Sequence, residues 1–287
     1  MKRILFMLFL MNSLMLQAQY FEAGVLIGAS NYMGDLSNNS SKVYFGETKG
    51  ALGVFGRYNI FEMLSLRASF NYGAIKGTDA NSDNESIRRR NLSFKSNLYE
   101  FGITAEVNLP GYQPYALSRP FSPFLFGGIA FTSFNPKAYY NGEWYELQPL
   151  GTEGQGIPNF ESPYSKLAVS VPFGIGFKYA INDTWNVGLE CGARFALTDY
   201  LDDVGGIYAD YNTLLGGNGE IAAALGNRTG EYLGTEPVNV PTGTKRGDNK
   251  NSDWYFIAGV TVSYNFMDNG LVGSRGRSKR KSGCRTD

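Results

Sequence analysis

The stretch "DWYFIAGVTVSYNF", residues 253–266, alternates between two kinds of side chain. One set of alternate positions is apolar and aromatic: Trp254, Phe256, Ala258, Val260, Val262, Tyr264 and Phe266. The other set is Tyr255, Ile257, Gly259, Thr261, Ser263 and Asn265. Because a β-strand places successive side chains on opposite faces of a sheet, the stretch predicts a strand with one apolar face. That face begins and ends in aromatic residues, as the lipid-facing strands of membrane barrels do.

The same alternation recurs earlier in the chain and predicts about eight strands in all. The other segments are Phe21–Ala29, Leu52–Tyr58, Glu62–Gly73, Tyr99–Leu109, Phe121–Thr132, Leu167–Tyr179 and Trp185–Leu197. Shorter connections (Asn59–Phe61, Pro110–Pro120, Ile181–Asp183) alternate with long ones (Ser30–Lys49, Ala74–Asn91, Ser133–Lys166, Tyr200–Ser252). Short turns at one end and long loops at the other are typical of bacterial outer-membrane barrels. The predicted fold is therefore all-β: an eight-stranded antiparallel transmembrane β-barrel with short periplasmic turns and long extracellular loops.

Ionisable residues in these strands fall on the face opposite the apolar one. They are the acids Glu22, Glu100, Glu106 and Glu190 and the bases Arg57, Arg67, Lys178 and Arg194. An eight-stranded barrel is only wide enough for its own side chains, so we expect these charges to pair inside a plugged lumen. In the alternative, a soluble sandwich or lipocalin-like barrel, the apolar face would be buried and the polar face would meet water. The Gly-rich, small polar face would make a poor core for such a domain.

Both termini suggest processing or binding outside the barrel. "MKRILFMLFLMNSLMLQAQ" combines two basic residues, a short apolar run and Ala18, which predicts a signal peptide over residues 1–18. The barrel is then expected over residues 19–266 and a basic periplasmic tail over residues 267–287. We expect partner-binding residues in this tail, namely Arg275, Arg277, Lys279, Arg280, Lys281, Cys284 and Arg285. The alternative is that the tail lies on anionic lipid head groups.

The two cysteines of the chain have different expected surroundings. Cys191 falls mid-strand on the apolar face, and Cys284 lies in the basic tail. Because a charged tail would enter hydrocarbon only at high cost, the two cysteines are not expected to pair. An unpaired thiol in the oxidising periplasm suggests a disulfide between Cys284 and a periplasmic partner.

Composition and loop motifs argue against an enzyme. The chain has no histidine, which excludes a Ser-His-Asp triad, a Cys-His pair and the usual His-containing zinc sites. Lys plus Arg and Asp plus Glu are both 26, so overall charge gives no sign of a nucleic-acid partner. "GTEGQG" (151–156) lacks the Lys and Ser/Thr of a phosphate-binding loop and is better explained as a turn that locks a loop against the barrel. The loop acids Asp199, Asp202, Asp203 and Asp210 offer oxygen ligands for calcium. Their spacing does not match an EF-hand, and loop carboxylates are more often solvated or paired with Arg. No cofactor is expected.

Six phrases remain that strand chemistry does not explain. They are "NYMGDL" (31–36), "RNLSFKSNLYEFGITAEVNL" (90–109), "PFLFGGIAFTSFNPKA" (123–138), "LGTEGQG" (150–156), "TDYLDDVGGIYAD" (198–210) and "SDWYFIAGVTVSYNF" (252–266). In this order the set resembles the PorG-like outer-membrane β-barrel family of Bacteroidota, over about residues 20–266. The resemblance implies a non-enzymatic component of the type IX secretion system that tethers the periplasmic PorK–PorN ring to the outer membrane.

On that resemblance, the partner of the basic tail is a PorK-like ring lipoprotein, with a PorN-like protein as the second ring component and outer-membrane lipid around the barrel. The alternative is a stand-alone small barrel that binds a ligand or an adhesion partner through its long extracellular loops. A basic tail favours the first function, whereas long loops are compatible with both.

Overall fold

A computed structural model describes residues 20–37, 44–109, 111–112, 120–248 and 251–266. The predicted signal peptide (1–18) and basic tail (267–287), with all seven expected partner-binding residues, lie outside the described residues. Eight long strands form the barrel: β1 (Tyr20–Met33), β2 (Lys49–Phe61), β3 (Leu64–Thr78), β4 (Ser93–Asn108), β5 (Phe121–Phe134), β8 (Leu167–Ala180), β9 (Trp185–Ala196) and β10 (Trp254–Phe266). A hairpin of β6 (Lys137–Tyr140) and β7 (Glu143–Glu146) lies in the connection between β5 and β8.

The long strands pair antiparallel in chain order, and the last strand closes on the first. β1 pairs with β2 on one side and with β10 on the other, from Phe21 opposite Phe266 to Met33 opposite Trp254. β5 pairs directly with β8, so the hairpin lies outside the closed ring. The predicted eight-stranded antiparallel barrel is confirmed.

The outside of the barrel is apolar around its whole circumference. Ile27, Val54 and Val260 are 63%, 55% and 44% exposed, although they lie in the middle of their strands. Aromatic side chains meet at the strand ends: the rings of Trp185 and Tyr264 are 5.2 Å apart. A closed sheet leaves no unpaired edge, and an apolar outer face with aromatic rims matches the hydrocarbon core of a bilayer.

The two ends of the barrel differ in the length of their connections. The turn end carries the two-residue β2–β3 turn, residues 62–63, and the β8–β9 turn, residues 181–184. The loop end carries the four long connections, residues 34–48, 79–92, 135–166 and 197–253. Both bounds of the barrel, 20 and 266, lie at the turn end.

Several strands extend further toward the loop end than the sequence pattern predicts. β3 continues to Thr78 instead of ending at Gly73, and β4 begins at Ser93 instead of Tyr99, because the two strands pair as far as Thr78 opposite Ser93. The inward residues of this extension include Ile75 and Phe94, which are 0% and 3% exposed. With apolar residues inside the barrel, the contrast between polar and apolar positions is lost, and the period of two cannot be recognised.

The inner face is therefore not uniformly small and polar, and this corrects the sequence-based expectation. The inward residues of β10 change from apolar to polar along the strand. Tyr255 and Ile257 are 0% and 1% exposed near the loop end, whereas Thr261, Ser263 and Asn265 face inward toward the turn end. The loop-end half of the lumen is a hydrophobic core packed against the loops, which contribute Leu36, Leu147, Leu201, Val204 and Leu225. Loops that fold over the barrel mouth exclude water there and make apolar interior side chains favourable.

The loops also contain short helices that the sequence did not predict. They are α1 (Glu85–Arg90), α2 (Tyr211–Gly217), α3 (Glu220–Gly226) and α4 (Thr229–Leu233), with 3₁₀ turns at Phe45–Glu47, Asp79–Asn81 and Gln148–Leu150. Helices this short rarely show an amphipathic period and are stabilised by tertiary packing. Within the described ranges, no helix has the length and apolar character needed to cross a membrane.

Cysteine labelling tests which face of β10 points outward. In a background in which both native cysteines are replaced by serine (Cys191 on β9 and Cys284 in the tail), cysteines are introduced at Val260, Thr261 or Val262. Lipid-soluble thiol reagents are expected to label positions 260 and 262, which face outward, and not position 261, which is 8% exposed. The reverse pattern would contradict the assignment of faces.

Candidate functional site: a filled lumen and a folded loop-end cap

The eight charged residues named from strand parity all lie in the lumen, each no more than 6% exposed. Glu106 is their centre. Its carboxylate lies 2.8 Å from Arg57 Nε, 2.5 Å from Lys178 Nζ and 3.6 Å from Arg67 Nη1. Arg57 also pairs with Glu22.

The remaining pairs extend this network toward the middle of the barrel. Arg67 donates two hydrogen bonds to Glu190, at 2.6 and 3.2 Å. Arg194 Nε donates to Glu100 at 3.2 Å, and the same carboxylate accepts from Tyr255 Oη at 2.6 Å. Four acids thus meet four bases at a site that water does not reach, where an unpaired charge would be costly.

Charges and core together fill the described part of the lumen. A void of about 10 Å³ remains beside the Arg67–Glu190 and Arg194–Glu100 pairs, which is about the space of one water molecule. Toward the turn end, the Tyr112 hydroxyl donates to Asn186 at 2.6 Å, and the Tyr112 ring lies 5.8 Å from Lys178 Nζ. The barrel is therefore built as a plugged cylinder.

At the loop end the long connections form one folded cap, defined as residues 34–37, 79–92, 147–164 and 197–248. Arg90 donates two hydrogen bonds to Asp79, at 2.9 and 2.7 Å, and others to the carbonyls of Asp35 and Arg246. Arg246, 4% exposed, donates to Glu153 at 3.0 Å and to the Asp203 carbonyl at 2.7 Å. These two arginines connect all four long loops.

The "GTEGQG" turn locks its loop onto another loop of this cap, whereas the sequence predicted a turn that locks a loop against the barrel. Gly154 and Gly156 have φ of 89° and 87°, a conformation that glycine adopts without strain. The turn places Thr152, whose hydroxyl donates to Asp203 at 2.5 Å, and Glu153, which accepts from Arg246 and from the N–H groups of Gly205 and Gly206.

Two of the four loop acids named from the sequence, Asp203 and Asp210, have structural partners. Asp203 accepts from Thr152 and, at 2.7 Å, from the Tyr164 hydroxyl. Asp210 caps the N-terminus of α2 by accepting from the Thr213 N–H at 3.0 Å. Within the described ranges, no three Asp, Glu, Cys or His side chains are grouped so that they could hold a metal ion.

Asp202 and Asp253 share one tyrosine hydroxyl. Tyr32 Oη lies 2.7 Å from Asp202 Oδ2 and 2.9 Å from Asp253 Oδ1, and all three side chains are buried. A hydroxyl has one proton to donate, so both contacts are hydrogen bonds only when one of the two carboxyls is itself protonated. Accordingly, burial and the neighbouring carboxylate raise the pKa of Asp202 well above its usual range. Sequence reasoning missed this trio, because Tyr32 lies far from both acids along the chain.

An open cavity of about 790 Å³ lies in the cap. Its walls come from residues 153–161 and 199–207 and from Thr242. Nothing in the sequence indicated the cavity, because its walls belong to loops that meet only in the folded cap.

The profile of a domain of unknown function, DUF6089, matches residues 1–224. The chain belongs to the DUF6089 family. None of the curated proteins compared with it matches.

Solved structures of small outer-membrane barrels are similar to this DUF6089 protein at low identity. The N-terminal barrel domain of Pseudomonas aeruginosa OprF is 11% identical, with 87% of this chain and 100% of that chain covered and a TM-score of 0.38. OprG from the same organism is 10% identical, with 87% and 96% covered and a TM-score of 0.40. Neisserial surface protein A is 9% identical, with 86% and 97% covered and a TM-score of 0.39. Likeness at this level carries no information about ligand, partner or activity.

The acids of the DUF6089 cap predict a pH dependence. Burial, followed by the charges of Asp35 and Asp202, raises the pKa of Asp199 to about 9. Burial raises the pKa of Asp203 to about 6, although Arg246 opposes it. The unfolded pKa of Asp is about 3.9. The stability these groups contribute is therefore complete below about pH 4 and is lost as the pH rises through about 6 and then about 9.

Hydrogen exchange of residues 197–248, corrected for its intrinsic pH dependence, is thus expected to be faster at pH 8.5 than at pH 5. Asp253→Asn should flatten part of this dependence. The new amide can donate to Tyr32 Oη, and its oxygen can keep the bond from the Leu201 N–H. Asp183→Asn, at the turn end, serves as the control and should leave the profile unchanged. An equal slope in Asp253→Asn and wild type would contradict the shared-proton assignment.

Proposed function

We propose that this protein is a non-enzymatic outer-membrane component of the type IX secretion system that anchors the periplasmic PorK–PorN ring. The observation that carries the proposal is the filled lumen, in which four acids and four bases pair around Glu106. A barrel without a passage through its described interior is unsuited to conducting cargo, so its function belongs to its two ends and to its insertion in the membrane. The resemblance of its ordered motifs to PorG-like barrels supports this particular membrane system.

The orientation follows from the same reasoning. In outer-membrane barrels short turns face the periplasm and long loops face outside. The turn end would then meet the ring, and the basic tail, beginning beyond Phe266, would emerge on that side. Its positive charges, Arg275, Arg277, Lys279, Arg280, Lys281 and Arg285, would dock on an acidic surface of a PorK-like lipoprotein, where Cys284 would form a disulfide.

Gene deletion tests the secretion role. Export of type IX cargo is expected to stop, and the ring to come loose from the outer membrane, while other outer-membrane proteins stay at normal levels. Re-expression of the full chain should restore export. Normal cargo export in the deletion strain would overturn the proposal and favour the stand-alone barrel that binds a ligand or an adhesion partner.

A non-reducing gel of outer membranes tests the tail. A higher-mass adduct is expected that disappears with reductant and with Cys284→Ser. Cys191→Ser is the matched control and should keep the adduct, because Cys191 faces outward from the middle of β9. If the adduct is lost with Cys191→Ser and survives Cys284→Ser, the wrong cysteine has been assigned. If no adduct forms in wild type, the tail has no covalent partner, and the alternative that it lies on anionic lipid head groups is favoured.

A further inference from the structure

The loop-end cavity has the size and shape of a ligand site. Its volume of about 790 Å³ falls within the usual range of small-molecule pockets, roughly 300–1,000 Å³. Two arginine-centred hydrogen-bond networks fix the loops that form it, so the cavity is part of the folded cap. It opens at the end of the barrel opposite the proposed ring contact, and its use does not depend on the anchoring role.

The walls of this cavity are acidic. Glu153, Glu161 and Asp199 line it, and no lysine or arginine of the described chain does so. Of these three acids, only Glu153 has a positive partner among the described residues, the buried Arg246. The other polar walls are neutral and include Gln155 and Thr242, and Phe160 and Tyr200 supply apolar surface. Such a wall repels anions and attracts a positive charge.

Two polar atoms beside the cavity have no hydrogen-bond partner in the described structure. Asp199 Oδ2 is one, and Gln155 Nε2 is the other. Gln155 is 6% exposed, and its Oε1 already accepts from the Glu153 N–H at 3.0 Å, which orients the amide so that Nε2 is the free donor. Buried polar groups left unpaired are costly, and they are commonly satisfied by a ligand or a water.

The charges around Asp199 also favour a positive group beside it. The acids Asp35, Asp202, Asp248 and Glu153 all raise its pKa. The ion-paired cations of the cap have partners other than Asp199 and Glu161: Arg89 pairs with Glu85, Arg90 with Asp79, Arg228 with Glu231, Lys245 with Asp248, and Arg246 with Glu153 of the cavity wall. A negative field that holds a proton on a carboxyl also favours any other cation that reaches it.

We propose that the loop-end cavity binds a cationic group, an ammonium or a guanidinium, which pairs with Asp199 and Glu161 while a neighbouring acceptor of the ligand takes the hydrogen bond from Gln155 Nε2. An arginine or lysine side chain has this combination, because its positive group lies within reach of a peptide carbonyl. A small free amine shares the positive charge and lacks the carbonyl. The cation replaces the proton of Asp199, which is released to solvent.

Calorimetry on the refolded full chain in detergent tests the charge requirement. The probes are N-acetyl-arginine amide and its neutral isostere, N-acetyl-citrulline amide. The arginine derivative is expected to bind at least about tenfold more tightly, since charge-assisted hydrogen bonds are the stronger ones. Equal binding of the two probes, or no binding of the arginine derivative, would overturn the proposal.

Matched carboxylate-to-amide variants locate the site. Asp199→Asn and Glu161→Gln should each weaken binding of the arginine derivative by about tenfold. The control is Glu236→Gln, because Glu236 is an exposed acid of the same cap outside the cavity wall. This variant should change the affinity less than about twofold. Because the ligand displaces a proton, wild-type affinity should rise by up to about tenfold per pH unit between pH 7 and 9. Asp199→Asn should reduce this slope. Equal loss in the Glu236 variant, or a slope unaffected by Asp199→Asn, would place the binding elsewhere and overturn the assignment.

A second pair of probes separates the possible sources of the cation. A tetrapeptide with an internal arginine represents an exposed side chain of a polypeptide, and agmatine represents a small free guanidine. Tighter binding of the peptide identifies a polypeptide partner, and tighter binding of agmatine a small-molecule ligand. Either result supports the cationic site, whereas failure of both probes refutes it.

Discussion

Replacing Glu106 with glutamine is expected to lower the free energy of unfolding by about 3–5 kcal/mol, the usual cost of removing one partner from a buried ion pair. Glu106 is 0% exposed and contacts Arg57, Arg67 and Lys178. The two arginines keep other carboxylates, Glu22 and Glu190. Lys178 keeps only the neutral Asn108 oxygen at 3.0 Å as a hydrogen-bond partner in the described lumen, and the buried ammonium loses the one carboxylate within salt-bridge distance of it there.

The measurement is urea unfolding of the barrel in lipid vesicles. Glu146→Gln is the matched control, since Glu146 also contacts two lysines, Lys137 at 2.9 Å and Lys166 at 3.7 Å, but lies in the exposed β6–β7 hairpin. Exposed pairs contribute about 0–1 kcal/mol, so this variant should be nearly neutral. Adding Lys178→Met to Glu106→Gln should recover part of the loss. Equal effects of the two single variants would show that the lumen charges are solvated, contrary to their burial.

Replacing Val260 with arginine is expected to cost about 2–4 kcal/mol of folding free energy in a bilayer, as for charges at the midplane of membrane barrels. Val260 lies in the middle of β10, opposite Ile27 and Leu189, and is 44% exposed on the outer face. In lipid that exposure is contact with hydrocarbon, from which a guanidinium is excluded.

Leu215→Arg provides a control at nearly the same exposure. Leu215 is 43% exposed and lies in α2 of the cap. Water surrounds the cap, so the substitution there should stay within about 0.5 kcal/mol. Folding yield and urea stability in vesicles measure both variants. If Val260→Arg were as mild as Leu215→Arg, the outer face of the barrel would be in water, and the soluble alternative would be correct.

The turn-end half of the lumen could be predicted from the sequence to a large extent. The alternation of positions along each strand placed Glu100, Glu106 and Glu190 on the inner face. The equal numbers of inward acids and bases suggested that they form ion pairs. Which acid meets which base could not be read from parity. Arg67 makes its shortest ion pair with Glu190 across the barrel, at 2.6 Å, and lies 3.6 Å from Glu106 of the adjacent strand, because partner choice depends on the tilt and stagger of the closed sheet.

The cap could be predicted only in outline. "GTEGQG" was recognised as a locking turn from its glycines, but its partners Arg246 and Asp203 lie in a connection with no strand periodicity. The Tyr32–Asp202–Asp253 trio and the cavity at Asp199 and Gln155 are equally remote in sequence. Contacts between loops depend on where the barrel brings the loop ends together, and the local sequence of a loop does not predict which other loops it will meet.

Alone, the sequence determined the barrel and its two faces, because the side-chain period of a strand is two whatever the surrounding structure and one residue of shift would turn every apolar group the wrong way. Only the tertiary structure decided where the inner face changes from ion pairs to a hydrophobic core. Ile75 and Phe94 face the lumen as the charges do, yet they are buried beneath the cap. The reason is water: the folded loops exclude it from the barrel mouth, and whether a given inward position meets water or a loop depends on residues that lie far from it along the chain.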